Sequence, residues 1–262
     1  MENVNSKISV VVLTKNEAGR IGDCLTSLGF ADEIIVIDNG STDDTVKISE
    51  KHRAVVYQSF LKDFSKLRNL GLSKAKFAWI LYIDADERVT PKLQTEILNT
   101  VKSFDPKTSP HGYFLKRKNY YLSKEWPFQD KLERFFWKKS LQGWYGSLHE
   151  TAKVDGKIGI LYEPLNHYTH RTLTEMADKT NEWSVIEAEL RLEAGHPTVV
   201  WWRLLRVMLT GFWNSFISQE GWKAGVVGWI ESIYQGFSMF ITYAKLWELQ
   251  EANQKSKIKN QK

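Results

Sequence analysis

Two aspartates separated by one residue stand at the end of an apolar segment. Asp84 and Asp86 follow residues 76–83, an apolar run long enough for one buried strand. In extended backbone the two side chains would share one face, where two carboxylates repel each other unless a cation lies between them. Hard divalent ions such as Mg²⁺ or Mn²⁺ prefer oxygen ligands and bridge carboxylates to phosphates. The pair indicates a divalent-metal site. The alternative is an acidic turn before a helix capped near Thr90.

Composition sets broad limits on the function. The 262 residues are enough for one large domain, or somewhat more than one, with a real core. A single cysteine, Cys24, excludes an internal disulfide and is expected to be a small core residue. The N-terminus is polar and shows no signal peptide. A net charge of +5 leaves nucleic acid, nucleotide phosphates and anionic lipid open as partners.

The elements before the aspartates alternate between strand and helix. Such alternation predicts a mostly parallel α/β sheet with helices on both faces, and each predicted strand ends in a polar cluster at the sheet edge where open α/β folds bind ligands. The predicted strands are residues 8–13, 33–37, 54–57 and 76–83, and the predicted helices include 18–28 and 64–74. Short strand candidates follow at 112–116 and 159–162, and helices return after Thr172.

Four polar blocks come at the ends of these elements. No Gly-x-Gly-x-x-Gly follows the first strand, and no Gly-Lys-Ser/Thr phosphate loop is present. The blocks are Thr14-Lys15-Asn16-Glu17, Asp38-Asn39-Gly40-Ser41-Thr42-Asp43-Asp44-Thr45, Arg68-Asn69 and Asp84-Ala85-Asp86. In order and spacing, over roughly residues 8–100, they resemble family 2 glycosyltransferases, which have the Rossmann-like GT-A fold.

The resemblance implies a role for each block. Thr14, Asn16 and Glu17 would line the nucleotide pocket. Asp38 would contact the base or ribose, beside Asn39, where many members have a second acid. On the following helix, Lys66 would contact substrate and Arg68 would reach the diphosphate, unless Arg68 is only a solvated helix residue. Asp84 would position the donor and join Asp86 at the Mg²⁺ or Mn²⁺ ion, with Asp86 the direct ligand.

A later block supplies a candidate base. Residues 143–150 resemble the Gly-x-x-His-Glu block of the lipopolysaccharide-core β-1,4-glucosyltransferases, in which an arginine precedes a Phe-rich strand, as in residues 134–136. Glu150 would take the acceptor proton, with Asp130 as the rival carboxylate, and Trp144 and His149 would contact substrate. Alternatively, Glu150 is simply paired with a basic neighbour. One catalytic carboxylate and no evident nucleophile favour direct displacement with inversion.

Aromatic and histidine residues around this block are open to two interpretations. Trp126, Trp137, Trp144 and Tyr145 would stack on sugar faces or fill the core, and His167 and His170 are expected to be pocket or structural residues.

The C-terminal third is rich in tryptophan: seven of the eleven lie between residues 183 and 247. Residues 199–218 and 226–247 predict two helices, each with a narrow polar stripe and a broad apolar remainder. Arginines near the centre of the first argue against a membrane span. The two helices would cover the core, lie in the membrane interface or form a dimer face. A basic tail with Lys255, Lys257 and Lys259 follows.

We therefore expect a GT-A domain over residues 1–170, with a nucleotide-sugar half (1–105) and an acceptor half (106–170). An amphipathic helical region (171–250) and a disordered tail (251–262) would follow. The predicted activity is transfer from a nucleotide sugar, UDP-sugars favoured, to a surface glycan or lipid-linked acceptor. It would take place at the inner face of the bacterial cytoplasmic membrane. Peripheral contact with anionic lipid and formation of a homodimer are both compatible with the sequence. Two alternatives are transfer to polyprenyl phosphate and a non-catalytic nucleotide-sugar-binding or scaffold protein.

Overall fold

The computed structural model describes residues 6–61, 63–146 and 150–259, with side chains as far as residue 255. The described chain divides into two compact units. The first unit is Met1–Lys118 with Gln129–His167, and the second unit is Asn119–Phe128 with Tyr168–Lys262. The domain boundaries predicted from the sequence remain predictions.

A parallel four-stranded layer forms the start of the first unit. Its strands are β1 (Ile8–Thr14), β2 (Glu33–Asp38), β3 (Val55–Gln58) and β4 (Trp79–Asp84), in the order β3-β2-β1-β4. The helices between them are α1 (Ile21–Ser27), α2 (Thr45–Lys51) and α3 (Phe64–Lys74). Every residue of β1 is buried, as expected for a central parallel strand covered on both faces. The predicted α/β fold class is confirmed.

Antiparallel strands extend this layer on the β4 side. They are β5 (Glu87–Val89), β6 (Gly112–Tyr121), β7 (Lys124–Trp137) and β10 (Ile158–Tyr168), and the full order is β3-β2-β1-β4-β7-β6-β10-β5. β7 pairs antiparallel with β4, and β10 pairs antiparallel with β5. Helix α4 (Pro91–Lys102) follows β5, and β8 (Leu141–Tyr145) and β9 (Thr151–Val154) form a separate hairpin.

Helix α3 lies unusually close to β1. A Cβ atom at Gly71 would collide with Val11 Cγ1, so only glycine permits this approach. Because α3 leads from the carboxyl end of β3 back to the start of β4, its first turns lie at the carboxyl edge of the parallel strands. The close packing therefore places Arg68, one turn before Gly71, at the edge where β4 ends.

Three long helices make up most of the second unit. They are α5 (Leu173–Glu193), α6 (Trp201–Trp213) and α7 (Val226–Lys259), with a π-helical turn at Asn214–Ser218 and a 3₁₀ turn at Gly221–Ala224. α7 continues through residues 251–259, which the sequence assigned to a disordered tail; Glu, Ala, Gln and Lys in this segment are good helix formers. Over the described residues, no helix combines the length and apolarity needed to cross a membrane.

Candidate active site

Asp84, the last residue of β4, is held by two arginines. Its Oδ2 lies 2.7 Å from Nη2 of Arg134, and its Oδ1 lies 3.3 Å from Nη2 of Arg68. Arg134 reaches Asp84 because β7 pairs with β4: Phe135, the residue after Arg134, stands opposite Leu81. Desolvation alone would raise the pKa of Asp84, but the charges of Arg134 and Arg68 outweigh it and hold that pKa below its usual range. Both oxygens of this ionised carboxylate are therefore occupied by arginine.

Arg68 is buried, so the alternative of a solvated helix residue is wrong. Its Nε donates to Oε1 of Glu150 at 2.7 Å, and its guanidinium lies 5.0 Å from the ring centre of Trp144. Its Nη1 is buried and has no hydrogen-bond partner among the described residues. A buried donor without an acceptor is costly, and an anionic ligand would satisfy it.

The two carboxylates predicted as possible bases are both ion-paired. Glu150 is paired with Arg68, as the alternative interpretation from the sequence anticipated. Asp130 accepts from Nε of Arg117 at 3.0 Å and from Nη2 at 2.6 Å, a two-pronged contact that engages both of its oxygens. Glu150 accepts from Arg68 through one carboxylate oxygen only. The same arginine also contacts Asp84, so it connects Glu150 to the end of β4.

Asp86 and His167 face each other. Oδ2 of Asp86 lies 3.4 Å from Nε2 of His167, because β10 pairs with β5 so that His167 stands opposite Glu87. Over the described residues no cluster of three or more metal-binding side chains is present. Mg²⁺ and Mn²⁺ are commonly held by one or two protein ligands together with substrate phosphates and water. A carboxylate and an imidazole are ligand types that suit such an open site, and the metal-binding role of Asp86 remains a prediction.

Glu87 is a further buried carboxyl group beside these residues. Its Oε2 accepts the backbone N–H of Asp84 at 2.9 Å, and its Oε1 lies 3.5 Å from Nη1 of Arg117. Desolvation and the charge of Asp84 raise the pKa of Glu87, although Arg134 and Arg117 oppose the shift. This carboxylate fixes the backbone that presents Asp84.

The sequence assigned no role to Glu87 or Arg117; Arg134 was noted only as the arginine before the Phe-rich strand, and His167 only as a pocket or structural residue. Glu87 directly follows the Asp84–Asp86 pair, which was an available signal. The contacts of the other three with Asp84, Asp86 and Glu87 depend on the pairing of distant strands, which the local pattern does not specify.

The predicted nucleotide residues meet at the ends of β1 and β2. Asp38 is fully buried; its Oδ2 accepts the N–H of Ser41 at 3.1 Å, and its Oδ1 has no described partner. The hydroxyl of Thr14 is likewise buried and without a described partner, and the carbonyl of Thr14 accepts the N–H of Asn39 at 2.8 Å. The structure therefore brings Thr14, Asp38 and Asn39 together, and two of them offer unused polar atoms.

The loop after β1 is tied to the loop after β2. Oδ1 of Asn16 accepts the N–H of Thr42 at 2.8 Å, and Asn16 takes a left-handed backbone conformation with φ of 54°. The N–H of Glu17 donates to Oγ1 of Thr45 at 2.8 Å, and the carboxylate of Glu17 pairs with Arg20 at 2.9 Å. The N–H of Ala18 donates to Asp43 at 3.0 Å.

The positions of Lys66 and Trp144 differ from those expected of the substrate contacts predicted from the sequence. Lys66 is exposed, and two residues along a helix lie about 200° apart, so it faces away from the buried Arg68. Trp144 is buried against Tyr82 and Phe136. Asn69 fixes its backbone, donating to the carbonyl and accepting from the N–H, both at 2.9 Å. His149 lies outside the described residues.

Sequence comparisons match a family model and several relatives to this chain. The family model described as Glycosyl transferase family 2 matches residues 9–152. An uncharacterized glycosyltransferase of Rickettsia felis is 30% identical over 92% of this chain and 90% of its own length. The lipopolysaccharide core biosynthesis glycosyltransferase LpsC of Rhizobium meliloti is 23% identical over 92% of each chain.

Solved structures show weaker overall likeness. The mannosyltransferase PcManGT of Pyrobaculum calidifontis, in complex with GDP-Man and Mn²⁺, gives a TM-score of 0.48 at 14% identity over 89% of this chain and 73% of that one. The S. aureus TarS fragment 1–349, in complex with UDP-GlcNAc, gives 0.47 at 15% identity over 94% and 92%.

Proposed function

The chain belongs to glycosyltransferase family 2, and from this membership we propose that it transfers a sugar from a nucleoside diphosphate donor, UDP-sugars favoured, to a hydroxyl of a surface glycan. Lipopolysaccharide core or another lipid-linked saccharide is the proposed acceptor. This choice is supported by the relative named for lipopolysaccharide core biosynthesis, which matches along nearly its full length. We place the reaction at the cytoplasmic face of the membrane, where such an acceptor would be extended.

The observation that carries the proposal is the grouping at the end of β4. Asp84, Arg68 and Glu150 form one chain of contacts of 3.3 and 2.7 Å, and Asp86 lies in the two-residue turn that follows Asp84. A glycosyl transfer from a nucleotide sugar needs a cationic group for the leaving diphosphate and a carboxylate for the acceptor proton. Both kinds of group stand at the carboxyl edge of the parallel strands, where ligands bind in open α/β sheets.

Glu150 is the proposed base. The acceptor oxygen would form a bond to the anomeric carbon of the donor while the bond from that carbon to the diphosphate breaks. The acceptor proton would pass to the carboxylate of Glu150, and the nucleoside diphosphate would leave with the bonding electron pair. A single displacement inverts the anomeric centre, so an α-linked donor would give a β-linked product. Asp130 is the less suitable base because Arg117 holds both of its oxygens.

Arg68 is the proposed diphosphate contact. Its buried Nη1 has no described acceptor, and its planar fork suits phosphate oxygens. When the donor binds, its diphosphate would compete with Glu150 for this arginine, which would release the carboxylate for proton transfer. A Mg²⁺ or Mn²⁺ ion held by Asp86 and His167 would neutralise the charge developing on the diphosphate.

The nucleoside would bind between the ends of β1 and β2. The free oxygen of Asp38 and the hydroxyl of Thr14 are buried polar atoms that need partners, and a ribose or base can supply them. Asn39 remains a proposed neighbour of the base. Lys66, exposed on the other side of α3, remains a proposed substrate contact only for a part of the substrate outside this pocket.

The test is nucleotide release by the purified chain from a panel of UDP-, GDP- and TDP-sugars with Mn²⁺. Each donor would be given truncated lipopolysaccharide, polyprenyl phosphate or no acceptor. We expect release with one UDP-sugar that depends on the saccharide acceptor. Release only with polyprenyl phosphate would replace the proposed acceptor. Donor-induced thermal stabilisation without turnover on any acceptor would show a binding protein and overturn the proposed activity.

A further inference from the structure

One face of the second unit presents an apolar stripe on each of two neighbouring helices. On α6 the side chains of Trp201, Leu205, Leu209 and Trp213 recur every four residues, and on α7 Trp229 and Ile233 do so. These six side chains are 51–74% exposed, and they are here called the aromatic face. A spacing of four places residues on one side of a helix, so each set forms a continuous stripe.

The two stripes adjoin each other. The ring of Phe216 lies 4.4 Å from that of Trp229, and Phe212 stacks on Phe216 at 5.2 Å, so aromatic rings bridge α6 and α7. The helices approach closely at Gly236, where a Cβ atom would come within 2.8 Å of the carbonyl of Met208. The aromatic face is therefore one surface across a tightly packed helix pair. Exposed apolar areas of this kind usually mark an interaction site.

Basic groups accompany the aromatic face. The guanidinium groups of Arg203 and Arg206 lie 5.5 and 5.8 Å from the ring of Trp202, which is itself half-exposed. Residues 194–219 contain no aspartate or glutamate. The next acid, Glu220, is paired with Lys223 at 2.7 Å. Charge on this part of the surface is thus positive, which complements a negatively charged partner.

We propose that the aromatic face docks on an anionic bilayer surface, with α6 lying in the plane of the interface. Tryptophan favours the boundary between water and hydrocarbon, and arginine beside it can pair with lipid phosphate. α6 is about 20 Å long, too short to span a bilayer but long enough to lie along it. A second copy of the chain fits less well, because a twofold contact would bring together two copies of the same positively charged surface.

Flotation with lipid vesicles tests the surface independently of the proposed transferase chemistry. The full chain would be mixed with phosphatidylcholine vesicles, with and without about one-third phosphatidylglycerol. We expect flotation with the anionic vesicles, and at least a tenfold loss for the double variant Leu209→Ser with Trp213→Ser. Arg206→Glu should weaken binding to anionic vesicles only. Leu173→Ser, at an exposed leucine at the start of α5, is the matched control and should float like the wild type.

Two outcomes would overturn the proposal. One is wild-type protein that stays in solution with anionic vesicles. The other is sedimentation velocity showing a dimer that the double variant dissociates, with vesicle binding equal for both proteins. Circular dichroism melting would establish that the variants fold. If the double variant does not fold, each single substitution can replace it in the assay, because both positions are more than 60% exposed.

Discussion

The guanidinium of Arg68 contacts two acids: its Nε lies 2.7 Å from Oε1 of Glu150, and its Nη2 lies 3.3 Å from Oδ1 of Asp84. One buried side chain thus connects the acid at the end of β4 with the proposed base, 66 residues further along the chain. A change at Arg68 should therefore affect both donor binding and proton transfer.

Replacing Arg68 by lysine tests this connection. Lysine keeps the charge but lacks the planar fork, so it cannot hold two carboxylates and a phosphate in the same way. We expect Arg68→Lys to lower kcat/KM by on the order of 10²-fold, with a raised KM for the donor. Steady-state kinetics against donor concentration would measure both effects. Unchanged donor KM together with unchanged kcat would show that Arg68 has only a structural role.

The base assignment is tested by Glu150→Gln, which removes the proton acceptor with little change in shape. We expect kcat to fall by about 10²- to 10⁴-fold while donor affinity stays within a few-fold. Asp130→Asn is the comparison, because it neutralises the rival carboxylate paired with Arg117. Full activity in Glu150→Gln together with a large loss in Asp130→Asn would transfer the role to Asp130.

Removal of either proposed metal ligand should change the response to Mn²⁺. We expect Asp86→Ala and His167→Ala each to raise the Mn²⁺ concentration for half-maximal donor binding by about tenfold or more. Calorimetric titration of the donor at several Mn²⁺ concentrations measures this without turnover. His52→Ala, at an exposed histidine that follows α2, is the control. An unchanged Mn²⁺ response in both variants would contradict the assignment.

Asp63 gives a pH-dependent prediction for the stability of the helix that carries Arg68. Its Oδ1 accepts from the backbone N–H of Lys66 and from the Ser65 hydroxyl at the start of α3. Desolvation would raise the pKa of Asp63, but the hydrogen bonds from Ser65 and Lys66 outweigh it and lower that pKa. A lowered pKa in the folded state means that the stabilisation exists above the unfolded value of about 3.9 and is lost as pH falls through the folded value.

Asp63→Ala should therefore lower the free energy of unfolding by about 1 kcal/mol near neutral pH. The difference from the wild type should shrink as pH falls below about 4. Urea unfolding at a series of pH values measures it. A difference that stays constant down to the lowest pH would show that ionised Asp63 is not the source.

The close approach of α3 to β1 predicts a strong effect of one methyl group. Gly71→Ala should lower the free energy of unfolding by about 1–3 kcal/mol, because the added Cβ would collide with Val11. Gly19→Ala is the matched control, since a Cβ there meets nothing within 4 Å and should change stability by less than about 0.5 kcal/mol. Thermal or urea unfolding compares the two. If Gly71→Ala is as stable as Gly19→Ala, α3 can move away from β1 without a loss of stability.

Local pattern was sufficient for the parallel strands. Continuous apolar runs placed β1, β2 and β4 within a few residues, and α3 begins and ends where predicted. The helix expected from residue 18 begins at Ile21, because the N–H groups of Arg20 and Ile21 both donate to the carbonyl of Glu17 and close a turn first. The ends of these strands carry the polar blocks, so the position of the blocks at one sheet edge followed from the same reasoning, while their nucleotide-binding role remains a prediction.

The acceptor side could not be predicted in the same way. β7 contains Pro127 and several charged residues, which hide a strand from any apolar pattern, although it supplies Arg134 to Asp84. His167 meets Asp86 only through the pairing of β10 with β5. Such contacts depend on strand register between distant segments, which a single sequence does not specify.

The hydrogen bonds between the loops after β1 and β2 have a consequence for affinity. Hydrogen bonds join Asn16 to Thr42, Glu17 to Thr45 and Ala18 to Asp43, and they fix the two loops to each other within the protein itself. Conformational entropy that would otherwise be lost on association is lost during folding instead. The nucleoside would therefore meet a preorganised cleft, and discrimination among nucleotide bases would depend on shape and polar complementarity rather than on loop ordering.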